Sequence, residues 1–153
     1  MPNTETRPEI MFYHALETDK NAVLFTLLKK SLSLNKRVII RTIDLESAQN
    51  ISDDLWQAQA DFILPHGLIC EPMADKQPVL ITYHTENVNQ ADYIFFLGAV
   101  DVTDFTQYER CIVIFDEHSD TIKAHMRQQF KMLKENQQSV NYYQQRQGKW
   151  HLS

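Results

Sequence analysis

The stretch IMFYHALETDKNAVLFTLLKKSLSLNKRVIIR, residues 10–41, decides the fold. Ile10-Met11-Phe12-Tyr13 is short, apolar and partly aromatic, as a buried strand requires. Asp19 is placed to cap a helix from Lys20 to Leu34, in which Val23, Leu24, Leu27, Leu28 and Leu32 recur at helical spacing and make one apolar stripe. Lys36-Arg37 is read as closing that helix at the negative end of its dipole. Arg37-Val38-Ile39-Ile40-Arg41 is then a second strand with a charged residue at each end.

The same alternation continues along the chain. Asp44 opens a helix through Ala48, Ile51 and Leu55 to Trp56. Leu68-Ile69-Cys70, Gln77 to Tyr83, Tyr93 to Leu97 and Cys111 to Phe115 read as further strands, with a polar turn at Asn87 to Gln90 and a short helix at Asp104 to Tyr108. A helix capped by Ser119 or Asp120 runs to Glu135 and carries Ile122, Met126, Phe130 and Leu133. Val140 to Gln145 and Gly148-Lys149-Trp150 suit a closing hairpin or edge strand. Strands and helices alternating at these lengths predict a three-layer α/β sandwich with a mainly parallel sheet.

A chain of 153 residues with 43% hydrophobic and 23% charged residues fits one domain over 9–153, after a polar tail over 1–8 without an apolar signal core. Its longest apolar run, Ile94 to Val100, is too short to span a bilayer, so a cytoplasmic protein with no membrane contact is expected. Cys70 and Cys111 are expected to be reduced thiols. The net charge of −5 argues against broad nucleic-acid binding. That charge is unevenly spread: Lys123 to Lys149 holds six basic residues and one acid, and the rest holds nine basic and nineteen acidic. A basic C-terminal end on an acidic body suits a local site for an anion or an acidic peptide.

This topology often binds nucleotides, but the three glycines, Gly67, Gly98 and Gly148, stand far apart, and no phosphate-cradling loop can be written. The expectation is a Rossmann-like sandwich without a nucleotide-binding loop. The six histidines never recur at a four-residue step, and neither CxxC nor HExxH occurs, so no metal or other cofactor is expected. Neither cysteine has a nucleophile motif, and the adjacent Asp53-Asp54 cannot face the same way on a helix.

Two constellations remain. On the last helix Lys123, Arg127 and Phe130 share one face, a point charge and a planar fork beside an apolar floor. That set matches a peptide of acidic residues ending in a hydrophobic residue with a free carboxylate. The second is Leu55-Trp56, followed by Leu64-Pro65-His66-Gly67, where a bulky ring stands beside a stiff turn. A structural reading competes at both places, with Phe130 and Trp56 packed inward and His66 bonded within its turn.

Several landmarks coincide in order and spacing: Phe12-Tyr13-His14, Leu55-Trp56, Leu64-Pro65-His66-Gly67, Gln77-Pro78-Val79-Leu80, Tyr108-Glu109-Arg110, Arg127 with Gln129-Phe130-Lys131, and Gly148-Lys149-Trp150. With them the chain resembles the chi subunit family of bacterial DNA polymerase III. The resemblance implies a non-catalytic accessory subunit in DNA replication, tied to the clamp-loader complex through the psi subunit or a substitute partner, with DNA contacted mainly indirectly. It implies that Lys123, Arg127, Phe130 and Lys131 hold the C-terminal tail of single-stranded-DNA-binding protein. It also implies that Trp56, Phe62, Ile63, Pro65 and His66 form the surface facing psi or a repair-type helicase. The family often has an aromatic residue two positions before the proline, where this chain has Ile63. The alternatives are a small α/β nucleotide-binding protein or enzyme, and a direct single-strand binder using the basic C-terminal end with Tyr142-Tyr143.

Overall fold

A computed structural model describes residues 8–57 and 64–153. In chain order the elements are β1 (Glu9–His14), α1 (Lys20–Ser33), β2 (Val38–Arg41), α2 (Leu45–Gln57), β3 (Gly67–Leu68), β4 (Val79–Thr82), β5 (Tyr93–Leu97), β6 (Arg110–Phe115), α3 (Asp120–Glu135), β7 (Val140–Arg146) and β8 (Lys149–Leu152), with a 3-10 turn at Ala74–Lys76. The strands form one sheet in the order β3-β4-β2-β5-β6-β1-β7-β8. Every pairing is parallel except β7 with β8.

Parallel strands joined by helices are covered on both faces, which is why β2, β4 and β5 are buried throughout. Alternate residues go to opposite layers. Val38, Ile40, Phe95 and Ile112 meet Val23, Leu24 and Leu28 of α1 and Ala48, Ile51 and Leu55 of α2. Phe12, Ile39, Phe96 and Val113 meet Met126 and Leu133 of α3, together with Val102, Phe105 and Tyr108 from the segment between β5 and β6. The expected three-layer α/β sandwich is therefore the observed one.

Three local readings are corrected. Lys36 and Arg37 lie beyond α1, whose last turn carries Lys30 instead. Lys36 pairs with Glu109 at 3.0 Å, and Arg37 donates to the Asn89 carbonyl at 2.9 Å. The third strand is only Gly67–Leu68, because the Glu71 carboxylate accepts from the Leu68 N–H at 2.7 Å and the chain turns away. At Gly67 a Cβ would stand 2.8 Å from Cγ of Gln77, so any other residue there would displace the glutamine side chain. No helix forms at Asp104 to Tyr108. The buried Arg41 guanidinium donates to the carbonyls of Thr103 at 2.7 Å and Thr85 at 3.2 Å, while the Gln129 side chain of α3 accepts from the Val102 N–H at 2.9 Å. These bonds hold Val102 and Thr103 over the second face, and the chain then bends at the left-handed Asp104 and turns where the Tyr108 N–H donates to the Phe105 carbonyl at 3.1 Å. The expected closing hairpin does form, with Gln147 and Gly148 both left-handed in its two-residue turn. Of the expected tail over 1–8, only Pro8 lies among the described residues.

Two buried polar side chains carry stability predictions. Arg41→Ala strands the carbonyls that the guanidinium satisfies and should cost about 3 kcal/mol in denaturant unfolding. His14, 1% exposed at the end of β1, has its pKa lowered from 6.5, because burial outweighs the opposing pull of Glu117. A depressed imidazole gives stability that is complete above its unfolded value and is lost as pH falls through the folded one. The Tm advantage of wild type over His14→Gln should therefore shrink between about pH 7.5 and about pH 5.5.

Candidate functional site

Helix α3 is oriented by what it buries. Met126, Gln129 and Leu133 point into the second face of the sheet. Phe130 is half-buried, edge-on to Phe12 at 5.4 Å and to Tyr142 at 5.1 Å. With that face turned inward, Arg127 and Lys134 flank Phe130 at the surface. Arg127, Phe130, Lys134, Tyr142, Gln144 and Ser153 line one shallow pocket of about 340 Å³. The Lys134 ammonium stands 5.7 Å from the Phe130 ring centroid. Burial raises the Tyr142 pKa, while the neighbouring Arg127 pulls it down. An aromatic floor between a guanidinium and an ammonium can take an apolar side chain together with a carboxylate.

The four residues expected on this helix do not all share that pocket. Arg127 and Phe130 line it. Lys123 lies one turn earlier, with its ammonium 3.1 Å from Glu117 and 3.9 Å from Asp120. Lys131 is exposed and outside the pocket lining. Lys134, Tyr142 and Gln144 are additions. Lys134 had a helical signal, four residues after Phe130 and seven after Arg127. Tyr142 and Gln144 had none locally: they share a strand face by period two, and β7 reaches α3 only through pairing beside β1.

At the other constellation Trp56 is 55% exposed at the last turn of α2, its ring centroid 4.4 Å from that of His66. His66 is buried and accepts from the Ser52 hydroxyl at 3.2 Å through Nε2, while Nδ1 donates to the Leu64 carbonyl at 2.9 Å. Histidine thus serves its turn and supports the indole from beneath. Pro65 is exposed beside it, and Phe62 and Ile63 lie outside the described residues.

The crevice beyond the carboxyl ends of β1 and β6 is where sheets of this kind usually bind ligands. Here acids of the chain fill the helix terminus that would face a phosphate. Asp19 accepts from the Ala22 N–H at 3.0 Å, and Asp116 accepts from the Lys20 N–H at 2.8 Å. Glu17, Asp19 and Glu117 line the adjoining pocket of about 300 Å³. Burial pushes the Cys111 thiol far above its usual range, leaving it an unreactive core group. Among the described residues no three His, Cys, Asp or Glu side chains gather to hold a metal. No helix there is long and apolar enough to cross a membrane.

Comparison with known proteins agrees with this architecture. The family model described as DNA polymerase III chi subunit, HolC, matches residues 8–141. A Rickettsia prowazekii (strain Madrid E) protein named probable DNA polymerase III subunit chi is 24% identical over 113 residues, covering 74% of this chain and 68% of the relative. The chain belongs to the DNA polymerase III chi subunit family, accessory subunits of that polymerase.

Proposed function

We propose that this chain is a non-catalytic adaptor that links the clamp-loader part of DNA polymerase III to single-stranded-DNA-binding protein. The α3 pocket takes the acidic C-terminal tail of that protein, with Arg127 and Lys134 on its carboxylates, its terminal apolar side chain on Phe130 and Tyr142, and Lys123 and Lys131 adding field from the rim. The observation that carries this reading is the pairing of two cations with an aromatic floor in one pocket. The Asp19 and Asp116 caps weigh against a nucleotide-binding function, because a phosphate at the start of α1 would meet two carboxylates. The Trp56, Pro65 and His66 corner, with Phe62 and Ile63, is the surface for psi, a substitute partner or a repair-type helicase. Its exposed indole is supported by a buried histidine, as a protein-docking anchor needs.

Calorimetry with a peptide of acidic residues ending in Phe with a free carboxylate tests the first surface. Arg127→Ala should weaken binding about tenfold or more, and the wild-type affinity should fall as salt rises. Equal affinity for both proteins would remove the α3 pocket from the account. The second surface predicts a separation of effects: Trp56→Ala should lose co-purification with the clamp-loader complex while peptide affinity stays within about twofold of wild type.

A further inference from the structure

The α3 pocket is joined to Lys123 by a run of polar contacts through the core. Arg127 lies beside the Tyr142 hydroxyl, which is 2.8 Å from His14 Nδ1. His14 Nε2 meets one oxygen of Glu117, and the other oxygen of Glu117 is 3.1 Å from the Lys123 ammonium. With His14 neutral, as its lowered pKa favours, each donor finds an acceptor: Tyr142 donates to Nδ1, and Nε2–H donates to Glu117. The imidazole cannot drift, since it stacks on Phe115 at 4.4 Å between centroids and is almost wholly buried. Glu117 is thereby held in place, and its bonds to His14 and Lys123 lower its pKa and keep it ionised.

Lys123 and Arg127, one turn apart on the helix, consequently differ. Lys123 already has Glu117, and Asp120 nearby, whereas Arg127 makes no ion pair with a carboxylate of the described residues. An incoming acidic side chain at Lys123 would exchange one carboxylate for another and would meet the charge of Glu117 as well. At Arg127 it would meet a guanidinium that lies beside the Tyr142 hydroxyl and has no carboxylate partner among the described residues.

We infer that Glu117, fixed by His14, is a built-in competitor for acidic peptides at Lys123, so that it restrains affinity and leaves the reading of the ligand to Arg127, with Lys134 across Phe130 from it. This inference rests on the α3 pocket being a peptide site. The test is a double-mutant cycle by calorimetry, using the full chain and an acidic peptide ending in Phe with a free carboxylate. Glu117→Gln keeps a side chain that His14 can bond and should bind several-fold tighter than wild type. Lys123→Ala should cost less than about twofold in wild type but about fivefold in the Glu117→Gln background, where the ammonium is free for the peptide. Unchanged or weaker binding by Glu117→Gln, or the same cost of Lys123→Ala in both backgrounds, would overturn the inference alone. A wild type that does not bind, or that binds no better than Arg127→Ala, would overturn the site and the inference together.

Discussion

Helix α3 cannot turn about its axis without drawing Met126, Gln129 and Leu133 out of the second face of the sheet, and the outer surface of the molecule near the C-terminus follows from that constraint. Gln129 is part of the anchorage as much as the apolar residues, since its amide holds the segment between β5 and β6 at Val102. Phe130 sits at the edge of this contact, packed on Phe12 and Tyr142 yet still lining a pocket. The same ring therefore packs on the core and lines the pocket proposed to take the peptide. An aromatic floor secured by the core presents a rigid surface to a peptide, which reduces the ordering cost of binding.

The sheet has a topology associated with nucleotides, yet its crevice is lined by acids. In such folds a free helix N-terminus attracts phosphate. In this chain Asp19 and Asp116 satisfy the first N–H groups of α1, and further acids surround the crevice. Positive charge is concentrated instead on α3, which holds Lys123, Arg127, Lys131 and Lys134 in a chain of net charge −5.

Much of this was legible in the chain, and the exceptions have physical reasons. The apolar runs at Val38, Val79, Tyr93 and Cys111 announced strands covered on both faces, and the helical spacing of α3 placed Arg127 beside Phe130. The segment at Asp104 to Tyr108 makes a single turn and no helix, because the chain before it is tied by Arg41 at the Thr103 carbonyl and by Gln129 at the Val102 N–H, contacts from far away in sequence that leave no local pattern. Lys123 read as a free cation, although Glu117 six residues earlier satisfies it, because a helix start hides which loop residue folds back. Tyr142 and Gln144 joined the pocket only through parallel pairing of β1 with β7. Trp56 allowed both a core and a surface reading, and the structure places its ring outside, on His66.

The central claim is that the face shared by α3 and β7 reads an acidic peptide ending in a hydrophobic residue. Its most direct test is an NMR titration of isotope-labelled protein with such a peptide. The account predicts saturable amide and side-chain shifts centred on Arg127, Phe130, Lys134, Tyr142 and Gln144, with Trp56 and His66 silent. Shifts centred on the Trp56 and His66 corner, with α3 unchanged, would contradict it.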